Sequence, residues 1–123
     1  MSKEMVKRFY EGNLANGKTD DVGDYFAADF VDHDPPGPLP PGIPGVVAVV
    51  EMMQRAMPQR TTTVHDLLED GDRVAIRFTL HGEQTGPFPG RPEKRGPMEI
   101  DVIALLRVAN GKIVERWGQA RVR

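Results

Sequence analysis

The sequence predicts an α+β fold: a cone-shaped barrel of curved antiparallel sheet closed by three N-terminal helices. Three observations point to it. Up to Pro58 the apolar residues recur with helical spacing. Beyond Arg60 they alternate with period two or run continuously, as strands do. Asn110-Gly111 then sits between two such strands and marks a tight hairpin. Helices segregated in sequence from a meander of strands make an α+β domain rather than an alternating one. The 123 residues suit a single domain spanning 1–123.

The first helix starts at Ser2, a capping residue, and reads KEMVKRFYEGNLANG. Val6, Phe9, Tyr10 and Asn13 form one stripe, and Asn16-Gly17 ends it. Thr19 is positioned to cap a second, short helix with Asp20 and Asp21 in its first turn. Val22, Tyr25 and Phe26 would face inward from it. Phe30 to Asp34 reads as a short strand stopped by Pro35. From Pro35 to Gly45 the chain is almost wholly Pro and Gly, a stiff loop with no regular element. The third helix is GVVAVVEMMQRAMP, with Val46, Val49, Val50, Met53 and Met57 on one side. Four strands follow: TTTVHDLL, RVAIRFTLHG, MEIDVIALLRV and KIVERWGQARV. Glu69 to Asp72 makes the first turn, and a Gly/Pro-rich loop from Glu83 to Pro97 joins the middle pair. A curved sheet wrapped on a helix layer leaves a conical hollow, the concave apolar space that small-molecule sites favour.

Composition narrows the function. A net charge of −2 exerts no long-range pull on nucleic acid or anionic membrane, so neither partner is expected. The absence of cysteine excludes disulfides and thiolate chemistry. MSKEMVKRFYEGN lacks the continuous apolar run of a signal peptide, and a cytoplasmic location is expected. No HExxH or other metal spacing, GxGxxG, P-loop or GxSxG elbow occurs, so no metal or cofactor is expected.

The chemistry concentrates in FVDHDPP, residues 30–36. Asp34 precedes a proline and is therefore held extended, on the same face as Phe30 and Asp32. There it is either a general base at an apolar cavity or a turn-forming aspartate. His33, on the opposite face, could orient Asp34, act as base itself, or fill a hydrogen-bonded slot. Asp101 stands between Ile100 and Val102 and shares a face with Ile103 and Leu105. A carboxylate on an apolar strand face is costly unless protonated or paired. It is either a neutral acid, a base, or half of an ion pair with Arg77 or Arg121. Tyr10 is a core residue or a hydrogen-bond donor to a developing oxyanion.

The runs GDRVAIRFTLHGEQTGPFPG and RVANGKIVERW resemble the SnoaL-like polyketide cyclases. That family belongs to the nuclear-transport-factor-like superfamily, with ketosteroid isomerase and limonene epoxide hydrolase. The resemblance covers nearly the whole chain and implies a dimeric, cofactor-independent acid–base enzyme on a small apolar carbonyl compound. Isomerisation or aldol-type cyclisation through an enolate would be its reaction. Epoxide hydrolysis, or a non-catalytic binding or dimerisation module, are the alternatives. By similarity to ketosteroid isomerase, Asp34-Pro35 would carry the base, and Tyr10 and Asp101 the oxyanion donors. Trp117, Phe88, Met53 and Phe30 would line the substrate site, with Gln84 where these cyclases place a histidine. Arg121 stands where the cyclases place their aspartate base.

Overall fold

The computed structural model describes residues 2–91 and 96–123, so residues 92–95 of the Glu83–Pro97 loop lie outside it. Helix α1 (Ser2–Arg8) continues directly into a π-helical turn, Phe9–Leu14. The stripe expected there is buried: Val6 at 0%, Phe9 at 3%, Tyr10 at 5% and Asn13 at 3% exposure. The second expected helix shrinks to one 3-10 turn, Val22–Asp24. Gly23 lies in its middle and weakens any longer helix there. Tyr25 and Phe26 then leave the helical path, and strand β1 runs from Phe26 to Asp32. Among the described residues the helix layer thus holds two α-helices where three helices were expected.

Helix α2 spans Ile43–Ala56, two residues earlier than its apolar pattern begins. Pro44 is tolerated because the first turn has no intrahelical N–H bond to lose. Val46, Val50, Met53 and Ala56 are buried along it, and Met57 follows at 0% exposure. The remaining strands are β2 (Thr61–Asp70), β3 (Arg73–Gln84), β4 (Gly96–Ala109) and β5 (Lys112–Val122). They form one five-stranded sheet in the order β1-β5-β4-β3-β2. β2 to β5 are the expected antiparallel meander, whereas β1 joins β5 in parallel. The sheet is curved but open, because β1 and β2 do not meet.

Period-two patterning decides the faces. Val74, Ile76, Phe78 and Leu80 of β3 point inward with Met98, Ile100, Val102, Ala104 and Leu106 of β4, all buried. Aromatic edges tie the helix layer to β1: Phe9 meets Phe26 at 4.8 Å, and Phe26 meets Phe30 at 4.8 Å. Each such pair is worth about 0.5–1.5 kcal/mol beyond the area it buries. Arg60, 5% exposed, locks the two helix C-termini together. Its Nε donates to the Leu14 carbonyl at 2.9 Å and its Nη1 to the Met57 carbonyl at 3.0 Å. A cation placed there also complements the helix dipoles.

Candidate active site

The cone encloses a cavity of about 650 Å³. Its wall is mostly apolar: Phe9, Leu14 and Phe30 near the helix layer, Val46, Val49 and Met53 from α2, Phe78, Ile100 and Val102 from the sheet. Phe88, from the loop after β3, and the Pro35–Gly42 segment complete the rim. Polar side chains gather in one place, where β1 ends beside β5. Tyr10, Asp32, Asp34 and Arg116 all line the cavity there.

The parallel pairing of β1 with β5 builds this cluster. It sets Asp32 opposite Arg116 in register. Arg116 Nη1 donates to Asp32 Oδ1 at 3.1 Å and Oδ2 at 3.3 Å, with both side chains less than one-fifth exposed. The same nitrogen donates to the Asp34 carbonyl at 3.2 Å. Asp34 itself is exposed at the mouth. Its Oδ2 accepts the Gly118 N–H at 2.8 Å, and its own N–H donates to Asp32 Oδ1 at 3.0 Å. Burial pushes the Tyr10 phenol above its ordinary value, while the Arg116 guanidinium, in hydrogen-bonding reach, pulls the other way. An apolar hollow with two carboxylates and one phenol at a single point can bind a carbonyl compound and exchange a proton beside its oxygen.

Of the residues singled out in the sequence, Tyr10, Asp34, Phe30, Met53 and Phe88 come together at the cavity. Four others do not. Asp101 is on the outer face of β4, in register between Thr79 and Arg121. Its carboxylate accepts Thr79 Oγ1 at 2.8 Å, Arg121 Nη2 at 3.1 Å and Arg123 Nε at 2.8 Å. The Thr79 hydroxyl, then Arg121 and Arg123, hold its carboxyl down to about 2. The ion-pair alternative therefore holds, and a neutral acid does not. Trp117 also faces outward, because Arg116 and Gly118 take the inward parity of β5, and it lies opposite exposed Leu105. It stacks on His33 at 4.8 Å instead of walling the pocket. His33 Nε2 pairs with Glu115 at 2.9 Å on that outer side, away from Asp34. Arg107, then His33, lower the Glu115 carboxyl. Gln84 is buried but pins a loop: its Nε2 donates to the Gly86 and Arg91 carbonyls at 2.9 and 2.7 Å.

Asp32, Arg116 and Gly118 are the site residues that sequence reading missed. Asp32 shares a face with Asp34, a visible signal. Arg116 and Gly118 become site residues only once β1 is paired with the last strand of the sheet.

The SnoaL-like polyketide cyclase profile matches residues 4–121. The chain belongs to the SnoaL-like polyketide cyclase family. Among solved structures, IdmH of Streptomyces antibioticus, provisionally assigned as a polyketide cyclase, is 30% identical. That match covers 98% of this chain and 91% of IdmH, with a TM-score of 0.79. A provisionally assigned polyketide cyclase of Bacillus cereus ATCC 10987 is 25% identical over 95% of this chain and 74% of its own, TM-score 0.78. TsrD of Streptomyces laurentii shares the fold at 19% identity, with a TM-score of 0.86 over 97% of this chain and 87% of TsrD. No curated protein matches the chain. Among the described residues, no helix is long and apolar enough to cross a membrane.

Proposed function

We propose that this SnoaL-like chain is a cofactor-independent acid–base enzyme acting on a small apolar carbonyl compound. Asp34 removes a proton α to the carbonyl, and Tyr10 donates a hydrogen bond to the enolate oxygen that forms. Reprotonation elsewhere gives isomerisation, and attack of the enolate on a second carbonyl within the same molecule gives an aldol ring. The observation that carries this reading is the gathering of Tyr10, Asp32, Asp34 and Arg116 at one point of an otherwise apolar cavity. In such a site a preorganised donor is worth several kcal/mol to a developing oxyanion, far more than in water.

The test is turnover of a panel of ketones and epoxides by wild type, Asp34→Asn and Tyr10→Phe across pH. Loss of the base is expected to lower ketone turnover about 10²–10⁴-fold. Loss of the phenol is expected to lower it about 10²–10³-fold. Ketone turnover that survives Asp34→Asn unchanged removes Asp34 from the mechanism. Turnover of epoxides alone moves the chemistry to hydrolysis, a second reading supported by the Asp32 carboxylate held on Arg116 and the Asp34 carboxylate held on the nearby Gly118 N–H.

A further inference from the structure

We propose that Arg116, seated in the space that Gly118 leaves empty and held by Asp32, is a positioning residue for both halves of this acid–base pair. It fixes the Tyr10 hydroxyl on one side and the backbone beneath the Asp34 carboxylate on the other. The inference deepens the enzymatic reading above and rests on it.

Three observations support it, the second and third of them geometric. First, a guanidinium only donates hydrogen bonds. Tyr10 and Arg116 line the same end of the cavity, so towards the guanidinium the phenolic oxygen can only accept, and the phenolic proton is left to point elsewhere. The cavity is where Tyr10 and Arg116 both emerge, so the proton is available to a substrate oxygen. The positive charge beside the phenol also favours negative charge developing around that oxygen, against the effect of burial.

Second, Asp34 is cross-braced. Its carbonyl accepts Arg116 Nη1 at 3.2 Å, and its N–H donates to the Asp32 oxygen that also accepts Arg116 at 3.1 Å. Both backbone groups of the base thus tie to one ion pair. Asp32 supplies the counter-charge without which a guanidinium this buried would be costly.

Third, the position after Trp117 has room for the guanidinium only because it is glycine. A Cβ at Gly118 would lie 2.7 Å from Arg116 Nη2 and 2.9 Å from its Cζ. Those distances are too short for real contacts; the Ile103 carbonyl, 3.1 Å from the same Cβ, belongs to the sheet backbone, so the flexible guanidinium is the group that gives way first. Gly118 meanwhile offers its N–H to Asp34 Oδ2 at 2.8 Å. One residue leaves space for the brace and holds the base.

The charged and titratable groups meeting here are Tyr10 from the π-helical turn, Asp32 from β1, Asp34 from the loop and Arg116 from β5. The experiment compares wild type with Arg116→Lys, Arg116→Gln and Gly118→Ala. The first readout is the ¹³Cζ resonance of Tyr10 in the free protein at neutral pH, assigned with Tyr25→Phe. Its position reports what the phenolic oxygen accepts. Arg116→Gln and Gly118→Ala are expected to shift it, and Arg116→Lys to leave it closer to wild type. The second readout is the split of kcat from KM on whichever ketone the panel identifies. Both disruptive variants are expected to lose about 10²-fold in kcat, as a misplacement of reacting groups by about 1 Å does, with KM changed little. Should Arg116→Gln fail to fold, Gly118→Ala still moves the guanidinium. A wild-type Tyr10 resonance in folded Gly118→Ala and Arg116→Gln overturns the proposal. Because that resonance needs no substrate, it separates failure of the brace from failure of the enzymatic reading, which the Asp34→Asn assay tests.

Discussion

Asp101 is bound on the outer face by Thr79, Arg121 and Arg123, and its carboxyl sits near 2, below the 3.8 of an unperturbed aspartate. A group depressed in this way binds its proton more tightly in the unfolded chain. It therefore adds stability above about pH 3.8, and that stability drains as pH falls towards about 2. Asp101→Asn is expected to lower the urea midpoint at neutral pH and to flatten its fall across that acid window, with kcat unaffected. A large loss of kcat in Asp101→Asn would return the residue to the chemistry. In the sequence Asp101 looked like a cavity residue because both parities of its strand are apolar: Ile100 and Val102 on one, Ile103 and Leu105 on the other. Alternation cannot choose a face under those conditions, and only register against Thr79 and Arg121 does. The strand expected over Phe30–Asp34 is displaced to Phe26–Asp32, so Asp34 sits in the bend after it, although the proline that follows still restricts its backbone.

Among the elements, four strands were legible from alternation and turn residues alone. β5 runs from Lys112 to Val122, matching the KIVERWGQARV segment. The hairpin before it has Asn110 and Gly111 both at positive φ, the conformation that pair suggests. The second helix was not legible, because capping signals at Thr19 say where a helix could start but not whether it survives Gly23. Nor was the partner of β1, since strand pairing across most of the chain leaves no local trace. Gln84, at the end of β3, stood where a catalytic histidine was sought, and it turned out to anchor the loop carrying Phe88. Gln84→Ala removes both anchors. Each net hydrogen bond is worth about 0.5–1.5 kcal/mol, so the loop loses order and the rim of the cavity with it. The expected outcome is a KM raised several-fold and up to about tenfold per kcal-scale bond, with kcat near wild type. An unchanged KM would show that Phe88 does not contact the substrate.

For the molecule as a whole, the cavity is a cost in stability. A chain of 123 residues that leaves about 650 Å³ unfilled forgoes packing it could have made. Val49 on α2 is half-buried and faces that space. Val49→Phe is expected to stabilise the fold by about 0.5–2 kcal/mol, as cavity-filling changes do, and to abolish binding of apolar ketones. Thermal melting and ketone titration check the two halves, and a destabilised variant that still binds would place Val49 against packed neighbours. The same substitution at a filled position such as Leu106, 0% exposed, has no space to occupy and should only strain the core.

The parallel seam between β1 and β5 has a consequence in time. On the ribosome the chain emerges at about 5–20 residues per second, so Asp32 and Asp34 are in solution for several seconds before Arg116 and Gly118 exist. Until then the nascent meander lacks one wall and shows its greasy interior to chaperones and to other chains. Closing the seam joins residues 84 positions apart, the slow, long-range kind of contact for a folding chain to make. Assembly of the candidate site and completion of the fold are therefore one event: a chain stalled before β5 has neither Arg116 nor Gly118 to hold Asp32 and Asp34.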